Sequence, residues 1–184
     1  MNDAAPRTGF DWDRVTALSA LVVSFVAVGV AAYTAQLQRQ QVRAQVWPRA
    51  QFYNAGALGE FHLANKGMGP LIVRSARVTL DGKPLKDWGQ LASALGLPPE
   101  KMGYSSLNGA VLASGEDMTY LQPGAKEQFT AIRNVAGERW NATICYCSAL
   151  DECWTTQSHP RGTEDVTRPI DACPRFDPAL EFEN

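Results

Sequence analysis

Four cysteines, two histidines and a few adjacent acidic pairs are the side chains of this 184-residue chain that first invite chemistry. All four cysteines lie in the last 40 residues, at Cys145, Cys147, Cys153 and Cys173. An even, clustered set of this kind reads as two disulfides in a domain outside the cytoplasm. If Trp140–Cys147 and Cys153–Thr156 form a hairpin centred on Leu150, Cys147 faces Cys153 and Cys145 lies on the same strand face two residues back. A Cys145–Cys147 bond is disfavoured, because residues i and i+2 of a flat strand stand about 7 Å apart, at the limit of disulfide reach. Two connectivities remain: Cys147–Cys153 with Cys145–Cys173, or Cys145–Cys153 with Cys147–Cys173. The first is preferred, and its Cys173 bridge would pin the C-terminal tail to the sheet. The competing chemistry is a four-thiolate zinc site, but such sites favour Cys-x2-4-Cys knuckles, and Cys-x-Cys inside a β run makes none. A redox pair would need Cys-x-x-Cys at a helix start to lower a thiol pKa. No metal and no cofactor are expected.

His62 sits in Glu60-Phe61-His62-Leu63, where alternation sends Phe61 and Leu63 to the core and His62 to solvent or a sheet edge. His159 is followed by Pro160 and is equally undistinguished. The chain has no Gly-x-Ser-x-Gly, phosphate loop, dinucleotide fingerprint or His-Glu-x-x-His. The pairs Glu116-Asp117, Asp151-Glu152 and Glu164-Asp165 read as solvated turns. No catalytic residue is assigned. Trp140 and Trp154 flank the cysteine hairpin and are a candidate binding patch if exposed, although packing against the disulfides is the preferred fate of Trp140. With 17 basic and 19 acidic residues the net charge is −2 and the pI about 5.7. Near-neutrality excludes a disordered polyelectrolyte and gives no electrostatic reason to bind nucleic acid.

The elements that must position these groups fall into two kinds. Val15 to Ala35 is a run of 21 uncharged residues. At about 1.5 Å rise per residue such a helix spans roughly 31 Å, the hydrocarbon thickness of a bilayer. Phe10, Trp12 and Tyr33 lie where interfacial rings sit. A cleaved signal peptide is the rival, with Val30-Ala31-Ala32 as its cleavage site; the acidic tail before the run and the run's length argue against it. Residues 36–47 should continue the helix into water until Pro48 stops it. Ala27, Ala31 and Ala35 form a small-residue stripe through which two helices could pair. Flanking positive charges are balanced, with Arg7, Arg14 and the amino terminus before the run and Arg39, Arg43 and Arg49 after it. Orientation therefore follows the cysteines: disulfides put the domain outside and the amino end inside.

From Pro48 the texture changes to short segments punctuated by Gly, Pro and Asp-Gly. Strands are expected at Arg49–Tyr53, Glu60–Ala64, Leu71–Leu80, from Lys83, and at Ala110–Ala113, Met118–Leu121, Glu127–Ile132, Trp140–Cys147 and Cys153–Thr156. The alternation within Leu71–Leu80 is only partly clean. Asp81-Gly82 suits a primed hairpin turn, and Asp87 caps a short helix to Leu95 with Trp88, Leu91 and Leu95 on one face. Gly96–Leu107 is left as a loop, either an inert excursion or a binding loop. Seven or eight strands in about 125 residues predict an antiparallel sandwich. The Pro-rich tail, 159–184, would wrap it.

The stretch Asn65-Lys66-Gly67-Met68-Gly69-Pro70-Leu71-Ile72-Val73, followed by Asp81-Gly82-Lys83 and Leu121-Gln122-Pro123-Gly124, resembles the turn and strand grammar of bacterial immunoglobulin-like adhesion and interaction modules. The chain also resembles uncharacterised single-pass bacterial membrane proteins with a C-terminal Cys-Tyr-Cys…Cys-Trp segment, a likeness that brings no functional residues with it. The residue patterns together give a polar tail at 1–14, a transmembrane helix at 15–35, a helical extension at 36–47 and a β-sandwich at 48–158, which the resemblance implies is immunoglobulin-like. The favoured expectation is a non-enzymatic interaction module held in a bacterial inner membrane with its domain in the periplasm. Its partners would be the lipid bilayer, an envelope protein, or a second copy through the helix, and not nucleic acid. The alternatives are an envelope hydrolase with a site built from dispersed residues such as Glu60 and His62, and a cytoplasmic, membrane-tethered zinc sensor.

Overall fold

The computed structural model describes residues 11–98, 101–158, 166–174, 177 and 181–183. The chain divides into two compact units, Met1–Val42 and Arg43–Asn184. His159, the Glu164-Asp165 pair and much of the expected tail lie outside the described residues.

The first unit is carried by α1 (Trp12–Gln45). It contains the expected apolar run and its polar extension in one uninterrupted helix ending before Pro48. It is long and apolar enough to cross a membrane, and none of its residues is buried. Its few hydroxyls turn back on the helix: Ser24 Oγ donates to the Ala20 carbonyl and Thr34 Oγ1 to that of Val30, each at 2.8 Å. Such internal satisfaction is what a polar group in hydrocarbon requires.

The second unit is mainly β. One sheet has the order β1 (Ala50–Ala55), β2 (Glu60–Asn65), β7 (Asp117–Pro123), β5 (Met102–Tyr104). The other has the order β10 (Val166–Ile170), β9 (Cys153–Gln157), β8 (Trp140–Cys147), β3 (Leu71–Leu80), β4 (Lys83–Leu85), and β6 (Val111–Leu112) also pairs with β3. Every pairing between these strands is antiparallel. The arrangement is sandwich-like, closed by aromatic contacts. Phe61 of β2 meets Trp140 of β8 edge-on at 5.8 Å, and Trp88 contacts both Tyr120 and Trp140.

The imperfect alternation of β3 has a local cause. The β3/β8 ladder shifts register between Val73 and Ser75, and one extra residue reverses which side chains face inward. Leu71 and Val73 are buried before the bulge, and Ala76, Val78 and Leu80 after it. The following turn is as expected: Asp81 and Gly82 both take positive φ, at 50° and 77°. Arg139 closes it with two hydrogen bonds to the Asp81 carboxylate, at 2.9 and 2.6 Å, and holds that carboxyl below the usual range.

Asp87 caps α2 (Trp88–Ala94), its Oδ1 accepting from the Gln90 N–H at 2.8 Å. Replacing Asp87 by Ala is expected to cost about 1 kcal/mol, read as a shift of the denaturant midpoint at unchanged slope; no shift would show the cap to be idle.

Two expectations need correction. The stretch Glu127–Ile132 is not a strand but part of α3 (Lys126–Val135), which buries Gln128, Phe129 and Ile132. That spacing of three and four is a helix face, and Glu127 and Arg133 sit at the ends the helix dipole favours. The loop 96–107 is also more ordered than expected: Met102–Tyr104 pairs with β7, and Leu107 is buried.

The Asn65-Lys66-Gly67-Met68-Gly69 segment has a structural role. Asn65 is fully buried, and its Nδ2 donates to the carbonyls of Gly69 at 2.7 Å and of Leu112 and Ala113 at 3.1 Å. Its Oδ1 accepts from the N–H groups of Arg49 and Gly67. A side chain on Gly67 would collide with the backbone of Trp47 and Pro48, and one on Gly69 with that of Val46. Asn65 thereby ties the entry of β1 to the loop before β3 and to β6.

Candidate functional site

His62 is the natural place to look for chemistry. Alternation along β2 sends it to the outer face of its sheet, opposite Tyr53 of β1 and Thr119 of β7. His62 is expected to face solvent or a sheet edge, and it is not open to solvent: it is only 7 % exposed. Tyr53 covers it, the rings stacked at 4.8 Å and 12°. Below that lid, His62 Nε2 lies 3.1 Å from Glu60 Oε2, and Nδ1 lies 3.5 Å from Thr119 Oγ1 and 3.8 Å from Asp117 Oδ1. Tyr53 donates a short hydrogen bond to Asp117, and Gln122 donates to Glu60 at 2.7 Å. Lys66 Nζ stands 5.9 Å over the Tyr53 ring.

Histidine between two carboxylates and a hydroxyl is a general-base inventory. A working base needs a ring nitrogen that faces substrate, and here both nitrogens have partners within the network while one ring face is stacked. The arrangement ties β1, β2 and β7 together on the outer face of their sheet.

Tyr53 gives the network a pH signature. Its hydrogen bond to Asp117, with burial and the charges of Asp117 and Glu60, pushes the phenol up to about 12 from an ordinary 10. The folded chain holds this proton more tightly than the unfolded chain. The stability it contributes is therefore whole below pH 10 and is lost as pH rises toward about 12. Burial raises Tyr120 in the same direction. A Tyr53→Phe variant is expected to lose less stability than the wild type over that interval, measured by denaturant titration at stepped pH. Parallel losses would remove Tyr53 from the account.

A cavity of about 310 Å³ lies between β1, α3 and the ends of β8 and β9, with Tyr53 among its lining residues. Phe61, Tyr120 and Trp140 are among its walls, and Asn54, Arg133 and Ser158 supply polar groups; neither His62 nor Glu60 borders it. Arg133 rises from the last turn of α3 with its guanidinium 5.8 Å from the Phe129 ring. Its Nε is buried without a hydrogen-bond partner among the described residues. Sequence alone did not single out Arg133, which follows directly on the stretch expected as a strand and lies instead in the last turn of a helix.

The four cysteines are joined as Cys147–Cys153 and Cys145–Cys173, with Cα separations of 4.0 and 5.7 Å. This is the preferred pairing, and its geometric basis holds: Cys147 and Cys153 are register partners across the β8/β9 hairpin. The two bridges are neighbours, with 3.7 Å between the sulfurs of Cys147 and Cys173. The three sulfurs of Cys147, Cys153 and Cys173 lie within 4.8 Å of one another, so a zinc site would require both bridges to be reduced first.

Trp140 and Trp154 are not brought together as one patch. Trp140 is 1 % exposed and donates from Nε1 to the Ile132 carbonyl at 3.0 Å. Trp154 is half-buried and stacks on Tyr146 at 5.9 Å. Tyr146 stands six positions along β8 from Trp140, about 20 Å of strand. No protein-family model, curated protein or solved structure matches this chain.

Proposed function

We propose that this chain is a membrane-anchored, non-enzymatic interaction module. It crosses the inner membrane of a bacterium once and presents an immunoglobulin-like, disulfide-stapled β-domain to the periplasm. The observation that carries this reading is α1, a helix rich in Val, Leu and Ala of which no residue is buried against the chain. At about 25 cal/mol per Å², leaving that apolar surface in water is far costlier than placing it in lipid. Two disulfides support an oxidising compartment. The enclosed His62 network, both ring nitrogens engaged, supports a binding role over a catalytic one.

Photoreactive residues placed at exposed positions such as Leu58, Met68, Val111 and Leu150 test this in native membranes. A discrete adduct of constant mass from at least one face is expected. The absence of any adduct from every position would overturn the interaction role.

A further inference from the structure

We infer that the free edge of β1 is a docking edge for an extended acidic peptide, which adds to the sheet as a strand beside β1 and sets a carboxylate against Arg133. This rests on the interaction-module reading and names the partner's chemistry.

The direction of the backbone groups follows from one hydrogen bond. Lys66 N donates to the Arg49 carbonyl at 2.7 Å, and Arg49 and Lys66 continue the β1/β2 register. Antiparallel pairing alternates, so Gln51, Tyr53 and Ala55 bond to β2, while Ala50, Phe52 and Asn54 direct their N–H and C=O groups away from it. The Ala50 N–H reaches the Tyr146 hydroxyl at 3.4 Å. Phe52 and Asn54 have no hydrogen-bonded partner strand on that side among the described residues, because β1 ends its sheet, although β9 of the other sheet passes close to β1. The strand reads Ala-Gln-Phe-Tyr-Asn-Ala. It has no lysine, proline or bulge, the devices that ordinarily keep an edge from pairing.

The cavity described above opens along this edge, bordered by Phe52 and Asn54. A strand added there would direct an apolar side chain toward Trp140 and Tyr120, the recognition mode in which backbone pairing gives affinity and a pocket gives selectivity. Arg133 supplies the charge preference. It makes no ion pair among the described residues, and its Nη1 lies 3.6 Å from where a Cβ on Gly56 would stand, just past the end of β1. A half-buried guanidinium with an unpartnered Nε favours a carboxylate, whose two oxygens match its fork of donors.

The test uses the full chain in detergent micelles and a pool of random hexapeptides, blocked at both ends, each carrying one Glu. A matched pool carries Gln instead. With the pool at about ten times its mean Kd, amide exchange of Phe52 and Asn54 is expected to slow about tenfold by NMR. The Gln pool should protect them much less. Arg133→Gln should erase the difference between pools. Asn54→Pro removes an edge N–H that β2 does not use and should abolish protection of Phe52 while leaving the β1/β2 amides slow. Unchanged exchange with the Glu pool, equal protection by both pools, or undiminished protection in either variant would overturn the inference. Its failure is separable from that of the broader reading: membrane adducts that persist in both variants would sink the docking edge and keep the interaction module, whereas a wild type without adducts sinks the module.

Discussion

Replacing Phe182 by Ala is expected to destabilise the β-rich unit by about 3–5 kcal/mol, the range for losing a buried aromatic side chain. Phe182 is 1 % exposed and packs against Trp88 with ring centroids 4.6 Å apart. The backbone around it completes a sheet. On the side of β3 away from β8, β6 pairs with residues 71–72 and β4 with residues 78–80, which leaves a gap between them. Residues 181–183 enter that gap. The Phe182 N–H donates to the Ala76 carbonyl at 2.9 Å, and the Ala76 N–H donates to Glu181 Oε2 at 3.1 Å. The Glu183 N–H bonds to Lys86 at 2.8 Å, and Asn108 donates a short bond to the Phe182 carbonyl. The Glu181 side chain is wholly buried beside Arg77, whose Nε lies 3.5 Å away. Truncating the ring removes the contact that holds these bonds away from water. Chemical denaturation followed by tryptophan fluorescence reads the effect, with exposed Glu183→Ala as a control expected to stay within about 0.5 kcal/mol. A loss under 1 kcal/mol would show that the segment docks without contributing to the core.

The second large effect concerns the bridges, which are expected to differ in value. In the chain-entropy model, stabilisation grows with the logarithm of the closed loop. Cys145–Cys173 spans 28 residues and Cys147–Cys153 spans six. The model gives about 3–4 kcal/mol for the first and about 2 kcal/mol for the second. The double variant Cys145→Ala/Cys173→Ala should therefore lower stability more than Cys147→Ala/Cys153→Ala. The longer bridge also fixes residues 171–173 after β10, and β10 has β9 as its partner strand. Reversal of the order would mean that the short hairpin bridge relieves native strain or that the unfolded chain retains the longer loop.

What was legible in the chain was what local pattern controls. An uncharged run of 21 residues defines the core of α1, and Asp81-Gly82 sets the end of β3 and the start of β4 to the residue. Hairpin register set Cys147 opposite Cys153, and of the two pairings left open the preferred one is the one found. The failures share another cause, that the deciding partner is distant. The N-cap of α3 is Ala125, which has no side-chain oxygen to announce a cap, and in a six-residue window the helix's Phe129 and Ile132 pass for strand residues. The burial of His62 depends on Tyr53 from the neighbouring strand. Phe182 sits in a charged, Pro-rich tail with no periodicity, and only the gap beside Ala76 makes it core. Arg133 became visible as a site residue once α3 and β1 were seen to share a cavity.

Anchor, orientation and bridges make one proposal, that α1 crosses a membrane and that the disulfide-stapled domain lies on its outer side. It is tested most directly by labelling the cysteines with a membrane-impermeant maleimide on cells whose inner membrane is intact, before and after an impermeant reductant. The account predicts no labelling before reduction and labelling of all four cysteines after reduction and mild denaturation of the exposed domain. Labelling that needs no reductant but appears only after lysis would place four free thiols in the cytoplasm and contradict it.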